Sequence, residues 1–309
     1  MRATLHAFAD SLAAAERLAN LLGIVCVPIE ARRFTDGEAL VRVALTETTA
    51  LLYRSLDHPD GKLIELLFAA SALRDRGATR VMLVAPYLCY MRQDTAFRPG
   101  ECVSQKVIGS LIAAHFDAVI TVNPHLHRVE SLAQVVPGIP AIAVSAAGTL
   151  AEMLRSDITT DTILIGPDVE SRLWVQSVAE PLGLSVIVGE KRRLGDREVS
   201  LTIPDIERVR GRPVVLVDDL ISSGVTLQQS ALLLKAAGAT LIEACATHCL
   251  ATASDLRALR EAGISRVQST DTVDGPTASA HIAPALADAL TPLFSESSPS
   301  SASRKTVSL

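Results

Sequence analysis

The sequence predicts an α/β protein made of two tandem domains, each a mostly parallel sheet flanked by helices. Three observations carry this. Short apolar runs rich in Val and Ile alternate with stretches of helical periodicity. The alternation occurs twice, once in each half of the chain. The length of 309 residues suits about two domains of roughly 150 residues, each able to bury its own core.

Taken in order, residues 1–22 carry Asp10, Glu16 and Arg17 through an apolar stretch and read as an amphipathic helix, not a signal peptide. Several short strand-like runs follow over 23–53. Among them Asp36-Gly37, between extended runs, predicts a hairpin turn. A helix is expected over 62–76, a buried strand over 80–87 (RVMLVAPY), a helix over 104–116 and a strand over 117–124, with helical periodicity resuming at Leu126. The Pro-Gly-Ile-Pro turn at 137–140 places the boundary near 145. Beyond it, strands are expected over 162–168, 184–190, 214–220 and 241–250, with helices from Glu170 to Leu182 and from Gly224 onward. The domains are therefore expected at 1–145 and 146–294, and the Ser-rich tail 295–309 is expected to be frayed.

Composition narrows the function. With 49% hydrophobic and 20% charged residues, the chain folds and is not generally disordered. A net charge of −5 and 3% aromatics argue against a basic face or stacking platform for nucleic acid, so no nucleic-acid partner is expected. The cysteines, Cys26, Cys89, Cys102, Cys245 and Cys249, lie on apolar stretches without Cys-x-x-Cys spacing, as expected of reduced, buried thiols in a cytoplasmic protein. The uncharged stretch Ser131–Ala151 is interrupted by Pro137, Gly138, Pro140 and Gly148, and no membrane segment is expected.

The most informative segment starts at Pro213: an apolar strand, the adjacent acids Asp218 and Asp219, a small hydroxyl-rich loop, then a helix. Backbone amides around Ser223–Thr226 at a helix N-terminus can hold an anion, and the hydroxyls of Ser222, Ser223 and Thr226 add donors without bulk. Two acids at a strand's carboxyl end can accept hydrogen bonds from vicinal sugar hydroxyls. A phosphorylated pentose satisfies both halves. The plain alternative is an Asp-containing turn with a Ser N-cap.

VVLVDDLISSGVT (214–226) resembles the phosphoribosyl-diphosphate loop of the phosphoribosyltransferase-fold superfamily. Further segments in the same order make the resemblance one to the ribose-phosphate pyrophosphokinases, closer to the archaeal-type branch: RRFTDGEALVRV (32–43), APYLCYMRQD (85–94) followed by RPGE, ITVNPHLHRVESL (120–132), GPDVES (166–171) and VGEKRRLGDREVSL (188–201). The resemblance implies two phosphoribosyltransferase-like domains. It implies an enzyme of nucleotide biosynthesis that transfers the pyrophosphoryl group of Mg-ATP to ribose 5-phosphate.

By the same resemblance, Phe34, Asp36 and Glu38 reach the ATP of a neighbouring subunit in a homo-oligomer, and Arg92, Gln93 and Asp94 bind ATP. His125 and Asp168 approach Mg2+, and Lys191 and Arg193 are the catalytic cations of a loop that closes over the site. Asp218, Asp219, Ser222, Ser223, Gly224, Val225 and Thr226 hold ribose 5-phosphate. Two departures stand out. Asn123 replaces the acid of the family's Asp-x-His, and the β-branched Val225 stands where many members have a second glycine. Whether His127 pairs with His125 on a transition metal is disfavoured, because no partner stands at a zinc spacing. A phosphoribosyltransferase and a synthetase-like regulatory subunit without turnover remain the alternatives.

Overall fold

The computed structural model describes residues 3–126, 128–193 and 199–295, and the side chains of all of these except 191–193, 199, 200 and 295. The first half runs β1 (Ala3–Ala7), α1 (Leu12–Leu22), β2 (Val25–Pro28), β3 (Glu30–Arg33), β4 (Ala39–Arg42), β5 (Thr49–Tyr53), α2 (Pro59–Asp75), β6 (Arg80–Ala85), α3 (Ser104–His115), β7 (Ala118–Val122), α4 (Leu132–Val135) and β8 (Ala141–Val144). The second runs α5 (Ala147–Leu154), β9 (Ile163–Gly166), α6 (Arg172–Ala179), β10 (Ser185–Val188), β11 (Glu190–Arg193), β12 (Val199–Thr202), β13 (Pro213–Ile221), α7 (Val225–Ala237), β14 (Leu241–Cys249), α8 (Ala253–Glu261), β15 (Arg266–Thr270), β16 (Ala278–Ala280) and α9 (Ala283–Ser295).

Two six-stranded parallel sheets result, in the orders β2-β1-β5-β6-β7-β8 and β10-β9-β13-β14-β15-β16. Helices cover both faces, which is why the central strands read as unbroken apolar runs. Each sheet carries one antiparallel hairpin off its second strand, β3-β4 in the first half and β11-β12 in the second.

The halves repeat each other in register. Thr4 pairs with Val25 and Ala50, and Ala50 with Val81; correspondingly, Ile163 pairs with Ser185 and Val214, and Val214 with Ile242. The left-handed glycines ending the preceding helices match too. Gly23 (φ 65°) and Gly183 (φ 66°) precede β2 and β10, and Gly77 (φ 102°) and Gly238 (φ 92°) precede β6 and β14. Glycine suits these positions because a Cβ disfavours that conformation.

Two helices cross between the halves. The α9 residues Leu286, Leu290 and Leu293 are buried with Leu5, Leu18 and Met82 of the first half. Conversely α5, which follows β8, packs Leu150 and Leu154 against Leu164 and Val175 of the second. The two sheets thus fall on either side of residue 145, while their covering helices do not.

Several expectations need correction. Residues 3–7 form a fully buried strand, and the helix starts only at Leu12. Helical periodicity after Leu126 yields only the four-residue α4. All five cysteines are free, but Cys102 is exposed and Cys26 half-buried. Among the described residues, no helix is long and apolar enough to cross a membrane. The tail 296–309 lies outside the described residues.

Candidate active site

β13 drives Val214–Val217 through the core and emerges with Asp218 and Asp219 at its carboxyl end. The chain then turns through Ser222 and Ser223 to Gly224, which is left-handed at φ 72° and starts α7. The left-handed turn favours glycine here, and a Cβ on Gly224 meets Leu259 Cδ2 of α8 at 3.0 Å, so that side chain has to give way to it. Among the described residues no side chain caps α7, and its first amides face the loop with the positive end of a 13-residue helix behind them. Val225 is the first helical residue and has no positive φ, so its branched side chain sits in an ordinary helical turn.

A cleft of about 470 Å3 opens over this loop, lined from the second half by Asp168, Asp218, Asp219 and Ser222–Leu227 and from the first half by Arg92, Asn123 and His125. Asp168 follows β9, where its Oδ1 accepts from the Ser171 amide at 3.2 Å and its carbonyl accepts from the Ser171 hydroxyl at 2.6 Å. His125 Nδ1 lies 2.8 Å from Asp219 Oδ2, joining the halves across the cleft. Asn123, left-handed at φ 36°, accepts the Ala146 amide on Oδ1 at 2.7 Å.

The acid pair is electrostatically unequal. Burial, then the charge of Asp219 beside it, pushes the Asp218 carboxyl well above the usual carboxylate range. Burial also acts to raise Asp219, but the hydrogen bond and charge of His125, with help from Asp218, hold it down at about 2. The pair therefore offers an ionised carboxylate held by the first half and a neighbour that readily keeps a proton.

The sequence-predicted residues divide. Arg92, His125, Asp168, Asp218, Asp219 and Ser222–Thr226 share the cleft. Gln93 and Asp94 instead serve the frame of their loop. Gln93 Oε1 accepts from the Ser104 hydroxyl at 2.9 Å, and the buried Asp94 carboxylate accepts from Arg128 at 2.7 Å. Phe34, Asp36 and Glu38 occupy the β3-β4 turn, away from the cleft of their own chain. There Arg32 stacks 4.9 Å over the Phe34 ring, and Asp36 Oδ1 accepts from the Glu38 amide. Lys191 and Arg193 lie on β11, opposite Leu201 and Val199, in the hairpin beside the cleft domain's second strand; their side chains lie outside the description, as does His127 altogether.

Sequence reasoning missed three groups. Glu170 and Trp174, the single tryptophan of the chain, line the cleft, and buried His248 stands behind it. His248 had a legible signal: an imidazole near the carboxyl end of a mostly apolar strand, Leu241–Cys249.

The oxygen donors suit magnesium. Asp168, Asp218 and Asp219 face one cleft with His125. Among the described residues, no three His, Cys, Asp or Glu side chains form a cage.

A doubly wound, duplicated α/β chain with an amide cradle just past an acid pair defines the phosphoribosyltransferase-type class. The comparisons agree: residues 138–287 match the phosphoribosyl transferase domain, and residues 4–115 match the N-terminal domain of ribose phosphate pyrophosphokinase. Ribose-phosphate pyrophosphokinase of Methanopyrus kandleri is 36% identical over 277 residues, covering 89% of this chain and 94% of that protein. That of Methanothermobacter thermautotrophicus is 33% identical over 279 residues, covering 89% and 95%. The crystal structure of phosphoribosylpyrophosphate synthetase from Mycobacterium smegmatis shares the fold, with a TM-score of 0.80 over 96% of this chain and 99% of that one at 24% identity. The chain belongs to the ribose-phosphate pyrophosphokinase family.

Proposed function

We propose that the chain transfers the pyrophosphoryl group of Mg-ATP to the anomeric hydroxyl of D-ribose 5-phosphate, giving 5-phosphoribosyl 1-diphosphate and AMP. The observation that carries this is the uncapped start of α7 beyond Asp218 and Asp219, facing Arg92 and His125 from the other half across one cleft. The sugar phosphate rests on the amides and hydroxyls of Ser222–Thr226, and the 2- and 3-hydroxyls donate to the acid pair. Arg92 and His125 hold the triphosphate opposite. The anomeric oxygen forms a bond to the β-phosphorus, the bond from that phosphorus to the α,β-bridging oxygen breaks, and the hydroxyl proton leaves.

Asp168 and His125, with the substrate phosphates, would hold magnesium, which would supply neutralisation of the triphosphate charge. Lys191 and Arg193, on the β11-β12 hairpin, close over the transferring group and stabilise charge on its oxygens. Phe34, Asp36 and Glu38, with Gln93 and Asp94 framing the Arg92 loop, serve ATP. The hairpin does so in a neighbouring copy, and the chain works as a homo-oligomer. Its position away from its own cleft supports that reading, as do the exposed apolar Ile64 and Phe68 on α2.

Purified protein given ATP, magnesium and ribose 5-phosphate is expected to release AMP only when the sugar is present. Dependence on a nucleobase favours a phosphoribosyltransferase, and tight binding of both ligands without AMP favours a regulatory subunit. Asn123 gives the regulatory reading no support of its own, because its side-chain oxygen is engaged with the Ala146 amide.

A further inference from the structure

The registers of the two sheets place His248 at the position equivalent to Tyr87: His248 lies six residues beyond Ile242, and Tyr87 six beyond Val81. The two rings meet edge to face, 5.0 Å apart, where the duplicated halves join. The resemblance ends at the polar atoms. His248 Nε2 lies 3.0 Å from the Val122 carbonyl oxygen and 3.4 Å from that of Asn123, both in the other half. A carbonyl only accepts, so in the neutral ring Nε2 carries the proton, while Nδ1 lies 2.8 Å from Thr272 Oγ1, whose single proton also has the Thr247 carbonyl oxygen within 2.9 Å. The imidazole is buried, which keeps it neutral in this one tautomer.

The carbonyls it meets flank an unusual residue. Asn123 and its equivalent Asp271 share two contacts. The Asn123 amide donates to Val144 O at 3.0 Å and the Asp271 amide to Ala280 O at 2.8 Å. Their side-chain oxygens accept the amides of Ala146 and Ile282, at 2.7 and 2.8 Å, at the starts of α5 and α9. Yet only Asn123 of the two has a positive φ, and it stands directly before Pro124 and His125. A left-handed non-glycine residue persists only where its surroundings over-determine it. The left-handed turn brings the carbonyls of Val122 and Asn123 toward one donor, and that turn leads the chain to where His125 meets Asp219.

We propose that His248 is a positioning residue: its Nε2–H reaches across from the second half, holds the Val122 and Asn123 carbonyls, and thereby fixes the turn that delivers His125 to Asp219. The proposal rests on the reading above only for its kinetic readout; the placement of His125 is a property of the free protein. The test compares His248→Phe, which keeps a ring against Tyr87 but removes the donor, with His248→Gln, whose amide can reach the place of Nε2.

In the free protein, His248→Phe is expected to shift the imidazole 15N resonances of His125, and His248→Gln to leave them near those of the parent. In turnover with ATP, magnesium and ribose 5-phosphate, His248→Phe is expected to lose about 10- to 100-fold in kcat, the usual size of a lost supporting contact, with the KM for ribose 5-phosphate unchanged and His248→Gln recovering most of the loss. Unchanged His125 resonances in His248→Phe overturn the proposal, whatever the protein catalyses. Absence of turnover in the parent overturns the functional reading and leaves the resonance test standing. Should His248→Phe fail to fold, the decision passes to His248→Gln against the shorter His248→Asn: parent-like His125 signals only in the former support the proposal, and equal behaviour of the two overturns it.

Discussion

Asn123 shows what one amide can do at this site. Its Oδ1 serves the Ala146 amide as the carboxylate of Asp271 serves Ile282, but Asp271 has a second oxygen, which binds Arg17 at 2.8 Å and His281 at 3.0 Å. Asn123→Ala is expected to lose about 1 kcal/mol of stability in urea unfolding, the usual cost of a helix-start acceptor. Asn123→Asp is expected to keep that stability and, by offering a second anionic oxygen, to lower the magnesium concentration for half-maximal rate. An unchanged magnesium requirement counts against any route from this position to the metal.

Buried histidines set the acid side of the stability profile. Burial lowers both His6 and His248 to about 4, for His248 against the opposing pull of Asp219 and the Asn123 and Val122 carbonyls. The unfolded chain protonates them near 6.5, so between these values it binds more protons than the folded one, and stability falls as pH drops through that window. The loss is expected to be about 2 kcal/mol per histidine by about pH 5 relative to about pH 7.5, measured from urea midpoints. Asp219 acts lower down: held at about 2, its stabilisation is complete above the ordinary carboxylate value and is lost only as pH falls below it.

At the scale of elements, the strand-loop-helix unit β13-α7 and the β11-β12 hairpin carry the proposed chemistry. Gly224→Ala introduces a side chain at φ 72° and 3.0 Å from Leu259 Cδ2. It is expected to distort the cradle and raise the KM for ribose 5-phosphate about tenfold or more, since a non-glycine residue there is strained. Lys191→Ala is expected to cut kcat by roughly a hundredfold or more, as for the loss of a transition-state donor. Sugar phosphate binding, followed through the fluorescence of Trp174 in the cleft wall, is expected to remain. Near-normal turnover in that variant refutes the assignment of the hairpin.

At the scale of the molecule, the exchange of α5 and α9 welds the halves together. Ending the chain after Ile282 removes Leu286, Leu290 and Leu293 from the core around β1 and α1. That truncation is expected to leave the first half unable to fold stably, whereas ending it after Ser295 is expected to leave the melting midpoint unchanged. Circular dichroism on both truncations checks this. A fragment of residues 1–145 is expected to fail for the same reason, because its sheet is covered in part by the last helix of the chain.

The sequence by itself determined the two-sheet α/β plan and the place of the acid pair at the end of a buried strand before a helix, while the segment it read as a cationic loop is in part a two-stranded hairpin. Central strands are apolar on both faces and end in residues whose chemistry has few other uses, so their pattern is local and readable. It misjudged residues 3–7, where a five-residue buried strand runs into a helical pattern, and the region after Leu126, where apolar spacing belongs to a loop packed on the core. Tertiary structure alone decided which half each outer helix covers, which predicted residues face one cleft, and that His248 reaches the turn before His125. The last of these joins residues more than a hundred positions apart, and a hydrogen bond between a side chain and a distant carbonyl leaves no periodicity in the chain that makes it.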